Sequence, residues 1–127
     1  MSVSCRIFTG LTIEFAKDIQ YADFRKCDAF LEKYPELDEY TYDQDHREGK
    51  LLLISDGMNG DFIRLIQIDK LRDGASLGPF NDFVELSMIG VPINIEVVNK
   101  MTALYEEYTG EKFNPDKLTY AMWSQWY

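Results

Sequence analysis

Leu51-Leu52-Leu53-Ile54-Ser55-Asp56-Gly57-Met58-Asn59-Gly60-Asp61-Phe62-Ile63-Arg64-Leu65-Ile66-Gln67-Ile68 reads as two strands around a turn. An unbroken apolar run and a run rich in β-branched side chains flank Asp56-Gly57 and Asn59-Gly60, dipeptides that tolerate positive φ. Residues 50–56 and 61–69 are therefore expected to form a hairpin. Both of its faces are largely apolar, which predicts a place at the centre of a sheet.

Working upstream, Val3, Cys5, Ile7, Leu11, Ile13 and Phe15 share odd parity, while Ser4, Arg6, Thr12 and Glu14 are even. That alternation predicts a half-buried strand over 3–15. A two-residue turn at Thr9-Gly10 would set polar side chains opposite apolar ones. A continuous strand with a bulge or bend at Gly10 keeps the parity better, and a hairpin with a longer turn is the alternative. Asp18 can cap a helix whose apolar stripe is Tyr21, Phe24, Cys27, Phe30, Leu31 and Tyr34. Pro35 disfavours helical geometry at Tyr34 and ends that helix.

Downstream, residues 70–80 read as a loop, and Phe83 to Met88 as a short helix or a further strand ended by Gly90 and Pro92. Asn94 is a good N-cap, with Ile93 and Val98 placed as a hydrophobic staple. Val97, Met101, Leu104, Tyr105 and Tyr108 form the buried stripe, and Gly110 is a natural C′ residue. Asn114-Pro115-Asp116 has the cap, proline and acid of a second helix start. Leu118, Ala121, Met122, Gln125 and Trp126 would line one face of a terminal helix. The expected architecture is a single compact α+β domain over 1–127. Its sheet is mostly antiparallel or mixed, of about 3–4 strands, with helices packed on one face and helices at the C-terminus.

With 127 residues, 46% of them hydrophobic and 14% aromatic, the chain can bury a core without metal or disulfides. Met1-Ser2-Val3-Ser4-Cys5-Arg6 lacks a charged segment leading into an apolar one, and no run approaches the length of a membrane span, so cytoplasm is the expected location. Cys5 and Cys27 sit in apolar-periodic segments and read as reduced core thiols.

Motifs for chemistry are missing at each place they could occur. His46 is the single histidine and lies in the most charged, least periodic stretch. Asp43-Gln44-Asp45 opens like a calcium loop, but Arg47, Glu48 and Ile54 occupy positions that need Asp or Asn, Gly and Glu. Asp56 to Asp61 lacks the spacing of a phosphate loop. No catalytic, cofactor-binding or metal-ligating residue is assigned, and the reading leans away from an enzyme.

The feature that points to function is Tyr34-Pro35-Glu36-Leu37-Asp38-Glu39-Tyr40-Thr41-Tyr42-Asp43-Gln44-Asp45-His46-Arg47-Glu48. Six carboxylates and one arginine give these residues a formal charge of −5, against −9 for the whole chain. Like charge opposes compaction, so the segment is expected at the surface, attracting a basic protein and repelling nucleic acid. Glu36, Asp38, Glu39, Asp43 and Asp45 would supply long-range attraction, with Tyr40 and Tyr42 as contact anchors. Trp123, off the stripe of the expected terminal helix, is a further candidate contact. By size and charge the physical type is a small acidic inhibitor of a nucleic-acid-handling enzyme, such as an immunity protein or a phage-encoded defence inhibitor. Two alternatives stay open: a carboxylate-based enzyme or cation-binding domain using Asp56, Asp61 and the Asp43/Asp45 pair, and a homo-oligomeric subunit, such as a homodimer, joined near Trp123.

Overall fold

The computed structural model describes residues 5–43, 46–56, 62–73 and 83–126. Seven regular elements follow in order: β1 (Cys5–Lys17), α1 (Tyr21–Lys33), β2 (Leu51–Asp56), β3 (Phe62–Asp73), β4 (Phe83–Leu86), α2 (Ile95–Thr109) and β5 (Thr119–Trp126). The strands form one antiparallel sheet in the order β2-β3-β1-β5-β4. β1 and β2 run parallel to each other with β3 between them, and β3 and β5 run parallel with β1 between them. Two split β-α-β units are thus interleaved, the ferredoxin-like connectivity, with β4 added at one edge.

β1 is one unbroken strand, as its parity predicts. Its pairing with β3 shifts between Thr9 and Gly10, where Asp69 of β3 has no opposite residue. A Cβ at Gly10 would collide with the Gln67 carbonyl, so the close strand approach here needs glycine. The bulge also turns β3 by one residue, so that Leu71 rather than Lys70 joins the face carrying Ile66 and Ile68.

The sheet buries side chains on both faces. Leu11, Ile13, Phe15, Leu53, Ile63 and Leu65 meet the stripes of the two helices, Cys27 and Phe30 from α1, and Met101, Leu104, Tyr105 and Tyr108 from α2. Phe8, Leu52, Ile54, Ile66, Ile68 and Trp123 form a second cluster on the other face. Alternation along the strands, interrupted where the β1–β3 register shifts at Thr9/Gly10 and Glu14/Ala16, sends neighbouring residues to the two sets. The helix ends follow local chemistry. The Asn94 Oδ1 accepts from the Glu96 and Val97 amides, Gly110 takes φ 72° as C-cap, and Tyr34 before Pro35 closes α1. Lys33 and Tyr34 both donate to Glu107, at 2.9 and 2.5 Å, and so clamp α1 to α2.

Four expectations are corrected. Gln20, not Asp18, caps α1, with its amide donating to Asp23 Oδ2 at 2.7 Å; Asp18 sits at φ 52° in the turn before it. The 50–69 hairpin is not central, because β2 is an edge strand. The sheet has five strands, since both Phe83–Leu86 and Thr119–Trp126 are extended, and β3 runs on to Asp73 through the start of the expected loop. Finally, the expected terminal helix is a strand. Asn114, Pro115 and Asp116 start only a single 3₁₀ turn, Pro115–Lys117, and Thr119–Trp126 then pairs with β1 along its length. β1 would otherwise leave a row of amides and carbonyls unpaired, and the threonine and aromatic side chains of 119–126 suit a pleated surface.

Candidate functional site

The acidic segment leaves α1 at Tyr34 and is tied to the body of the domain at every turn. Leu37, in the 3₁₀ turn Pro35–Leu37, is buried among the helix-side core residues. Asp38 forms a parallel bridge to Leu53 on the outer edge of β2, and its Oδ1 accepts the Tyr40 amide at 3.0 Å. A second 3₁₀ turn, Glu39–Thr41, follows. The Thr41 hydroxyl donates to the Pro35 carbonyl at 2.7 Å, and the Tyr42 hydroxyl donates to the Glu36 carbonyl at 3.0 Å. Tyr42 packs on the second core cluster, on the opposite side of the sheet from Leu37. The segment therefore clasps the edge strand from both faces. This covers an edge that would otherwise be open to pairing with another chain.

Glu39 departs from the expected surface position. It is buried and faces Arg47, whose side chain is buried too, with Oε2 3.4 Å from Nη1. Arg47 Nε also donates to the Tyr42 carbonyl. A carboxylate can leave water only when a charge and hydrogen bonds meet it. Arg47 therefore neutralises Glu39 inside the segment, and the formal −5 falls on Glu36, Asp38, Asp43, Asp45 and Glu48. Glu36 and Asp43 are exposed, Asp38 is half-buried, and Asp45 lies outside the described residues. Tyr40 is 82% exposed and Tyr42 half-buried. The negative charge of Glu39, followed by partial burial, pushes the Tyr40 hydroxyl above its usual range.

Trp123 is not a surface anchor. Its ring is fully buried, stacked on Phe8 with centroids 5.6 Å apart and edge-on to Phe62. Cys27 is a free thiol in the core, and burial, reinforced by the charges of Asp28 and Asp38, pushes it up to about 12. It has no nucleophilic character at neutral pH. His46 is exposed, 3.7 Å from the still more exposed Asp43. Asp61 and the side chain of Asp56 lie outside the described residues. Among the described residues, no group of three or more His, Cys, Asp or Glu is placed to hold a metal ion, and no helix is long and apolar enough to cross a membrane.

Two clefts adjoin the segment. The larger, about 360 Å³, is lined by the apolar side chains of Leu11 and Val97 and by the polar groups of Glu48, Asp69 and Tyr120. The Tyr120 hydroxyl donates to Asp69 Oδ2 at 2.8 Å. Burial first, and then this bond to a carboxylate, push that hydroxyl above its usual range. The second cleft, about 300 Å³, shares Gly49, Gln67 and Val97 with the first and adds Glu36, Tyr42, Lys50 and Lys100. Gln67 Nε2 donates to the Gly49 carbonyl between them. Asp69 and Tyr120 escaped the sequence reading because they meet only through the sheet order. The one signal available was the bulge at Gly10, which displaces Asp69 from the ladder.

No family model, curated protein or solved structure matches this chain.

Proposed function

We propose that the chain is a non-enzymatic binding protein whose acidic segment engages a basic protein surface, in the manner of a small inhibitor of a nucleic-acid-handling enzyme. The observation that supports this reading is the clasp. Four side-chain to main-chain bonds, a bridge to β2 and an internal ion pair hold an irregular segment in one shape. Glu36, Asp43 and Tyr40 are exposed on it. A surface ordered before binding loses little entropy on association, and carboxylates carry the negative charge that a basic partner otherwise finds on phosphates. A loop serving solubility alone would need none of this stitching.

Capture from the native cell's lysate tests the reading, at low salt and again at about 0.5 M, where the Debye length falls to a few ångströms. A basic protein retained at low salt and released at high salt is the expected outcome. A partner held equally at both would place the contact elsewhere, and the absence of any partner would count against a binding role.

A further inference from the structure

We propose that the cleft between Glu48, Asp69 and the turn Met88–Val91 receives an extended segment of the basic partner, a Lys or Arg side chain seated between the two carboxylates with apolar neighbours on the isoleucines beside it. The proposal rests on the basic-partner reading and names where, outside the acidic segment, that partner is gripped.

The turn is closed by the Val91 amide donating to the Met88 carbonyl, with Gly90 at φ 80°. Turn tips are usually polar, because they project into water. Here the tip is Ile89, 93% exposed, and the chain running on into α2 exposes Ile93 at 49% and Ile95 at 66%. Alternating with them, Val91, Pro92 and Asn94 line the cleft. Three exposed isoleucines within seven residues, on a segment that also walls a cleft, supply the apolar area that an interaction surface uses.

Charge decides the occupant. Among the described residues, the cleft is lined by two carboxylates and by no Lys or Arg. Glu48 accepts the Leu71 amide at 3.3 Å and Asp69 accepts the Tyr120 hydroxyl, so both are held in place with further acceptor capacity left. The N-terminus of α2 opposes a cation here, but its dipole amounts to about half a charge. Its first amides are already taken by Asn94 Oδ1, and Glu96 sits in its first turn. Two full carboxylates outweigh that. The adjoining cleft carries Lys50 and Lys100 against Glu36 alone and does not select a cation. An acidic peptide is repelled, and a purely apolar segment leaves the further acceptor capacity of Glu48 and Asp69 unused.

The test is amide chemical-shift mapping on the intact protein with short acetylated peptides, Leu-Lys alternating as the probe, and Leu-Glu and Ser-Lys alternating as comparisons, each at roughly millimolar concentration to reach weak binding. The Leu-Lys peptide is expected to shift the amides of Gly49, Gln67, Asp69, Val91 and Asn94, and the other two to leave them in place. Glu48→Gln with Asp69→Asn keeps both internal hydrogen bonds possible, and Ile89→Ser with Ile93→Ser removes the apolar arm. Each pair should weaken the Leu-Lys peptide by about tenfold or more. Equal shifts from Leu-Lys and Leu-Glu would overturn the charge selection. Concentration-dependent shifts of Ile89 to Ile95 without peptide would assign the surface to a second copy instead. Shifts confined to residues 36–43 would overturn the cleft while leaving the acidic-segment reading intact. No shift from any peptide would remove the cleft as a docking site, with the capture experiment then deciding the partner reading alone.

Discussion

Glu39 and Arg47 lie eight residues apart in the most acidic stretch of the chain, yet each hides more than nine-tenths of its side chain from solvent, with Glu39 Oε2 3.4 Å from Arg47 Nη1. The pair turns a segment that like charge should expand into a fixed one. Glu39→Gln or Arg47→Met alone leaves one buried ion without its partner and should destabilise the fold by about 3 kcal/mol. The double variant should lose less than the two single losses added. Urea unfolding of all four proteins supplies the cycle, and strictly additive losses would mean the pair does not couple.

Trp123 belongs to the second core cluster, where it stacks on Phe8 across the β1–β5 ladder. Trp123→Ala should cost about 3–5 kcal/mol, the range for removing a large buried aromatic. An exposed tryptophan waiting for a partner would cost little when truncated, so the unfolding midpoint separates the two roles.

The Tyr108 hydroxyl is buried and, among the described residues, has no hydrogen-bond partner, although its ring packs on Phe15 and Phe30. An unpaired buried hydroxyl is unfavourable, and burial is also what pushes its ionisation upward. Tyr108→Phe should therefore raise stability, by about 1 kcal/mol. A loss of that size would show that the hydroxyl is engaged in solution.

Cys27 gives a pH signature. Its folded-state value, about 12, is raised above that of an unfolded thiol. The stability linked to the neutral thiol is fully present below the unfolded value, about 8.5, and is lost as pH rises from there toward the folded value. In a Cys5→Ser background, iodoacetamide at mildly alkaline pH should label Cys27 only after denaturant unfolds the chain. Rapid labelling of the native protein would contradict its burial.

How much of this was legible in the sequence depended on whether the deciding contact was local. Both helices were, because the stripes from Phe24 to Phe30 and from Val97 to Tyr108 repeat at one period, and Asn94 and Gly110 carry their caps in their own side chains and backbone. The parity of β1 was legible for the same reason. The last element was not. Leu118, Ala121 and Met122 satisfy a helical period, and Asn114-Pro115 is a true start signal, but for one turn only. What makes 119–126 a strand is the open side of β1, more than a hundred residues away in sequence. The acidic segment was found by composition alone, whereas the burial of Glu39 depends on Arg47 folding back over it. The cleft needed Asp69 and Tyr120, 51 residues apart, to become neighbours through β3, β1 and β5.

The most direct test of the account compares two variants with the same change in net charge against the partner retained in low-salt capture. Glu36→Lys, Asp43→Lys and Asp45→Lys reverse the acidic segment, while Asp28→Lys, Glu32→Lys and Glu111→Lys reverse three exposed acids elsewhere. The account predicts that the first variant loses the partner and the second keeps it. Equal retention by both, or equal loss from both, would contradict a specific acidic face.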